Sequence, residues 1–251
     1  MKDEERLICN RLLDMANSCY HRNIPVTTDF LDLNSQSLFS AIIKELPPVK
    51  WIFDGGYDLA ERKMLIFYPE YMDYDISEYY SIIRICPVAR KFSEKLTHRD
   101  YLGAVLGLGI NRSKLGDIII DDESAYLFCC KSISTYIIDN LTLIKHTNVC
   151  CESISNINFK YQPKYEEITG SIASLRLDSI ISLGFNISRN HIIKYIEEGR
   201  TFVNGRNITS NAYAVKMNDI ISVRGLGKIK FIQELSTTKK GRLMIIIHKY
   251  I

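Results

Sequence analysis

Arginines at the openings of two short helices are the side chains best placed to do chemistry, and that chemistry is a grip on an oxyanion. Leu175-Arg176-Leu177-Asp178 runs into Ile180, Ile181, Leu183 and Gly184, which predicts a short helix with one apolar face, capped by Ser174 and carrying Arg176 in its first turn. Ser188 then opens a second helix holding Ile192, Ile193 and Ile196 and ending at Gly199. Arg189 lies in its first turn, where free backbone N–H groups already favour negative charge. The hairpin signal Asn204-Gly205 follows, with Arg206 beside it. A guanidinium fork bonds two phosphate oxygens at once, so this set predicts a phosphate-facing surface. The bland alternative is that Arg176 and Arg189 are solvated surface charges.

Charge is distributed in the same sense. Residues 170–251 hold 13 Lys and Arg against five Asp and Glu, a net +8, while the rest of the chain holds 19 against 24, a net −5. A basic module on a mildly acidic body leans toward a polyanion partner. Other chemistries find less support. The histidines His21, His98, His146, His191 and His248 are isolated, with no zinc-ligand spacing. Gly103, Gly107 and Gly109 match neither nucleotide-loop pattern and suit close helix packing and a helix end. The seven cysteines are odd in number and form no Cys-x-x-Cys pair, as expected of reduced structural thiols. No metal and no cofactor is expected.

The elements that must carry these residues belong to an α+β chain of 251 residues, 46% hydrophobic and 24% charged, a composition that excludes wholesale disorder. No apolar run is long enough to cross a membrane, and the acidic, polar N-terminus lacks a secretory pattern, so a cytoplasmic protein is expected. Residues 1–72 form an N-terminal α/β unit: helices over 4–20 and 35–46, a loop at Pro25, and strands over 49–53 and 63–68. Residues 73–155 give strand 81–86, helix 97–108, strands 116–120 and 126–130 about the acidic turn Asp121-Asp122-Glu123, helix 132–143 and strand 147–151. That βαββαβ order predicts a ferredoxin-like middle domain. Tyr126 and Phe128 lie on its third strand, but the first is rich in Ile, so base stacking across the sheet is not expected. A polar linker, 156–169, contains Pro163 and leads to the basic domain, 170–251, whose later strands cover 219–224, 228–235 and 242–247.

The basic domain resembles an S4 RNA-binding domain in Arg176-Leu177-Asp178, Ser188-Arg189, Glu198-Gly199-Arg200, Val203-Asn204-Gly205 and Asp219-Ile220-Ile221-Ser222-Val223. Two departures stand out: Thr201 replaces a usual apolar residue, and Asn218 replaces a usual Gly, at little cost because Asn tolerates positive φ. Nearly the whole chain resembles the bacterial YlmH family. The likeness runs through Gly55-Gly56-Tyr57, Leu59-Ala60-Glu61-Arg62-Lys63, Tyr68-Pro69-Glu70-Tyr71, 96–103, 106–117 and Arg224-Gly225-Leu226-Gly227.

That resemblance implies a monomeric, non-catalytic protein that binds structured RNA (large-subunit rRNA and tRNA) on the large ribosomal subunit, in rescue of stalled translation. It also implies a genomic association with cell-division loci. Arg176, Arg189, Lys194, Arg200 and Arg206 are the expected main contacts, with Arg224, Lys228 and Lys230 as a rim. The likeness also raises Arg112 and Lys114, in a basic loop, as RNA contacts. Two alternatives stay open: an RNA-modifying enzyme of pseudouridine synthase or methyltransferase type, since Arg176-Leu177-Asp178 mimics a pseudouridine synthase triplet, and a division-associated scaffold. Against the first, Asp178 is more simply a carboxylate at a helix N-terminus.

Overall fold

The structure, a computed structural model, describes residues 3–57, 60–72, 78–89, 94–121, 124–154, 164–239 and 241–250. Leu59 of the family motif, the turn residues Asp122-Glu123 and the connector through Pro163 lie outside the described residues. The chain divides into two compact units, Met1–Tyr161 and Gln162–Ile251. The segments expected as separate N-terminal and middle domains therefore form one unit.

In the first unit, helix α1 (Asp3–Arg22) buries Cys9, Leu12, Ala16 and Cys19 along one face. They pack on helix α2 (Leu33–Ile42) and a three-stranded antiparallel sheet of β1 (Val26–Leu31), β3 (Lys63–Tyr68) and β2 (Lys50–Asp54), in the order β1-β3-β2. Strand β1 was expected as loop because Pro25 reads as a breaker. Proline is tolerated just outside a strand, and Val26 pairs with Phe67 directly after it. The second layer contains β4 (Tyr80–Pro87), α3 (His98–Gly107), β5 (Leu115–Asp121), β6 (Ser124–Cys130), α4 (Lys131–Asn140), a short β7 (Leu143–Ile144) and β8 (Thr147–Ile154). Its sheet order, β5-β6-β4-β8-β7, is the ferredoxin-like arrangement with one added edge strand.

That sheet is covered on both faces. Helices α3 and α4 cover one, burying Ile83, Ile85, Val105, Leu127 and Ile137. Phe30 and Met64 of the N-terminal layer cover the other, against Ile82, Ile119 and Phe128. Phe128 has no exposed surface and lies beside the Tyr57 ring, 5.2 Å between centroids. Bases cannot stack on that ring. Gly116 makes the closeness possible: a Cβ there would come 2.7 Å from the Phe30 ring and 2.9 Å from Phe128 Cβ.

The second unit begins earlier than expected. Strand β9 (Tyr165–Ile172) occupies part of the stretch read as linker and pairs along its length with β14 (Leu243–Tyr250). Its polar text, Tyr-Glu-Glu-Ile-Thr-Gly-Ser-Ile, hides a strand because it lies at the sheet's edge, where half of its residues are exposed and only Ile172 is buried. Helices α5 (Leu177–Phe185) and α6 (Arg189–Glu197) follow, then β10 (Thr201–Val203), β11 (Arg206–Asn207), β12 (Ile220–Val223) and β13 (Gly227–Thr237). The six-stranded sheet runs β11-β10-β12-β13-β14-β9, antiparallel throughout. Ile180, Ile181, Ile192 and Ile196 of the two helices share one core with Val203, Ile221, Ile229 and Ile245.

Candidate nucleic-acid interface

Helix α5 starts later than its text suggests, and the shift decides what its N-terminus can do. Ser174 does not cap it. Arg176 is extended and bridges to Ala214, and Val215 N donates to Leu175 O at 2.9 Å. Arg176 takes the N-cap position without a side-chain cap. The N–H groups of Leu177 and Asp178 donate to the carbonyls of Tyr213 and Asn211, at 2.9 and 3.4 Å. The N–H of Ser179 donates to Asp178 Oδ1 at 3.0 Å. These donors are satisfied internally, so anion grip at α5 falls to side chains.

Those side chains converge on one carboxylate. Asp178 is buried, with 1% of its side chain exposed. Its Oδ1 accepts from Arg176 Nε at 3.2 Å, and its Oδ2 from Arg189 Nε and Nη2 at 3.2 and 2.5 Å. Burial alone would raise the Asp178 pKa, but hydrogen bonds from Arg189 and then Arg176, with their charges, overcome it and hold the carboxyl below the ordinary carboxylate range. The guanidiniums remain 40% and 49% exposed at the side chain. Among the described residues, both Nη atoms of Arg176 and Nη1 of Arg189 have no protein acceptor. Two oriented forks thus open to solvent from a fixed base. Asp178, expected as a partner of the helix dipole, is instead the joint between the two helices.

The neighbouring cations divide into exposed and tethered ones. Lys194 on α6 and Arg206 on the hairpin are exposed. The hairpin has Asn204 at φ 48° and Gly205 at φ 77°, the pair of positive angles its two-residue turn requires. Asn204 Nδ2 donates to Asp219 Oδ1 at 2.8 Å, anchoring the turn. Arg200 lies over the Tyr195 ring at 4.2 Å, and its Nη2 donates to Arg224 O at 2.9 Å. Arg224 in turn lies over Phe202 at 4.9 Å, and Lys228 Nζ is 5.9 Å from the Tyr250 ring. Lys228 and Lys230 share the sheet face turned away from the core, because their neighbour Ile229 points inward. Cations interleaved with rings were not foreseen. Phe202, Lys228 and Tyr250 come from strands far apart in sequence and Arg224 from the turn after β12, so their proximity follows from the sheet pairing.

Arg112 and Lys114 lie in a 3-10 turn, Arg112–Lys114, of the first unit. Arg112 Nη1 donates to the carbonyls of Leu115 and Gly116 at 2.7 and 3.1 Å, and Lys114 Nζ pairs with Asp29 at 2.7 Å. Both are tethered by internal acceptors yet stay partly exposed, Lys114 with 39% of its side chain in solvent. The glycine-rich motif also has an internal task. Tyr57 Oη and Glu61 N donate to Asp117 Oδ2 at 2.8 and 2.7 Å, and Arg62 N to Oδ1 at 3.2 Å.

Comparison with known proteins agrees with these parts. A family model described as "Putative RNA-binding domain in YlmH" matches residues 69–158, and the S4 domain model matches 175–221. The chain is 28% identical over 249 residues, 99% of its length and 96% of the relative's, to "Ribosome-associated protein quality control protein P2" of Bacillus subtilis strain 168. Among solved structures, "Cell division protein ylmH from Streptococcus pneumoniae" is similar with a TM-score of 0.52 at 22% identity, covering 61% of this chain and 93% of that one, a likeness of fold. No helix among the described residues is long and apolar enough to cross a membrane.

Proposed function

We propose that this chain, whose residues 69–158 match the RNA-binding domain model of YlmH and 175–221 the S4 domain model, is a YlmH-type protein that grips structured RNA, large-subunit rRNA and tRNA, on the large ribosomal subunit as a non-catalytic, monomeric, cytoplasmic adaptor in the rescue of stalled translation. The observation that carries the proposal is the buried Asp178 holding Arg176 and Arg189 with their outer nitrogens open. A fork fixed in advance loses little conformational freedom when it meets a phosphate, which favours binding a rigid, folded backbone. Lys194, Arg200 and Arg206 extend the grip, and Arg224, Lys228 and Lys230 form its rim. Both oxygens of Asp178 are occupied by arginine donors, an arrangement that suits holding rather than proton abstraction or attack. The name of the Bacillus relative supports the ribosomal setting.

The test leaves the Asp178 joint intact, because reversing Arg176 or Arg189 would strand a buried carboxylate. Lys194→Glu with Arg206→Glu changes two exposed side chains and is expected to keep the melting temperature. Co-sedimentation of the full chain with large subunits should fall about tenfold or more. The plot of log affinity against log salt should become shallower by about 0.7–0.9 for each phosphate that the variant no longer neutralises. Undiminished, equally salt-dependent binding by the double variant would remove the assigned surface. A new modified nucleoside in rRNA after incubation with the protein would favour the enzyme alternative.

A further inference from the structure

Two motif arginines of the first unit, Arg62 and Arg112, border a cavity that RNA binding through the second unit does not use. It measures about 350 Å³; Arg62, Arg112 and Arg11 line it together with the carboxylates Asp29 and Asp32 and with Ser35, and Leu12 belongs to its apolar wall. That volume lies at the lower end of ligand pockets, which run from about 300 to 1,000 Å³.

Two like charges are held together there. Arg62 Nε and Arg112 Nη1 donate to the same oxygen, Leu115 O, at 2.8 and 2.7 Å. Arg62 Nη2 donates to Phe30 O and Arg112 O, and Arg112 Nη1 also reaches Gly116 O. Among the described residues, neither guanidinium has a carboxylate within ion-pair distance. Arg62 Nη1 and Arg112 Nε and Nη2 have no protein acceptor, yet none of them is sealed from solvent. Unmatched, half-buried guanidinium N–H groups bordering a cavity are what an oxyanion satisfies. Burial, and for Arg112 also the charge of Arg62, pulls both pKa values down, Arg112 to about 10, a strain that a bound anion relieves.

The carboxylates nearby offset this charge only in part: Asp32 and Asp117 favour both charged arginines, but burial outweighs them. Asp29 is paired with Lys114 and Ser113, and Asp117 accepts three donors. Asp32 caps α2 through one oxygen, accepting from Ser35 N at 2.8 Å, and its other oxygen has no partner among the described residues. It can accept from a hydroxyl or amino group. We propose that this cavity binds a small phosphate monoester of mononucleotide size, the phosphate on Arg62 and Arg112 and a hydroxyl or amino group on Asp32. The same phosphate chemistry could come from inorganic phosphate or from a nucleotide, and the test separates them.

The full chain is titrated with inorganic phosphate, adenosine 5′-monophosphate and adenosine, following the arginine Nε–H resonances by NMR. The nucleotide should shift Arg62 and Arg112 at millimolar concentration or below and bind about tenfold tighter than phosphate, with adenosine silent. Ser35→Glu puts negative charge on the cavity wall at the third position of α2, where Glu suits the Asp32 cap, so folding is kept. It should weaken the nucleotide about tenfold or more while leaving large-subunit binding and its salt slope unchanged. That separates failure here from failure of the RNA-binding proposal. Equal affinity for phosphate and nucleotide overturns the nucleotide and leaves a phosphate site. Silence at Arg62 and Arg112, or shifts confined to Arg176 and Arg189, overturns the site altogether.

Discussion

At Asp178 a single buried carboxylate decides the posture of two cations, and its titration gives that arrangement a pH signature. Its folded pKa lies below the ordinary value, so the pairing stabilises the fold above the unfolded carboxylate range and is lost as pH falls through the folded pKa. Asp178→Asn should therefore lower stability at neutral pH by about 1–3 kcal/mol, a figure that allows for arginines half in water. The gap from the parent should close as pH drops below about 4. Melts across that range check it, and a gap independent of pH would show that the charge is not what holds the helices. The triplet Arg176-Leu177-Asp178 was legible as an S4 signature, but its inner bonding was not. Which oxygen meets which arginine depends on Arg189, eleven residues away and brought in by the turn at Asn186, whose φ is 53°. Thr201 shows the same limit: its departure from the usual apolar residue was visible in the sequence, and only packing shows that its fully buried hydroxyl lacks a partner among the described residues.

Elements meet closely where β1 packs on the ferredoxin-like sheet. Gly116 on β5 lies under Phe30 on β1, and Asp117 beside it holds Tyr57, Glu61 and Arg62. Gly116→Ala pushes a methyl group against the Phe30 ring and the Phe128 Cβ and should cost about 1–3 kcal/mol. Because both layers share that contact, amide exchange should quicken in β1–β3 and in β4–β6 together. Faster exchange in only one layer would mean that the first unit melts as two independent parts. The βαββαβ order was readable from alternating and helical apolar spacing, since those patterns are local. Strands β1 and β9 were not: one follows a proline, the other is mostly polar at a sheet edge, and each is a strand only because a partner is beside it.

Across the whole molecule, the second unit contains a complete sheet and a core drawn from its own residues. A fragment spanning Gln162–Ile251 should therefore fold alone, melt cooperatively and keep most of the salt-dependent RNA affinity of the full chain. Circular dichroism and filter binding measure both, and an unfolded fragment would show that the first unit contributes to the core. By itself the sequence determined the charge asymmetry, the α+β class, the ferredoxin-like order and the basic C-terminal signature, because composition, periodicity and short motifs act over a few residues. Tertiary structure alone decided which cations are open and which are tied down. Arg112 and Lys114 read as basic in the chain and are tethered by carbonyls and by Asp29; Arg176 and Arg189 read the same and are tethered by Asp178, so each cation's posture is set by a different acceptor. The difference is the position of an acceptor distant in sequence, which only the folded backbone supplies.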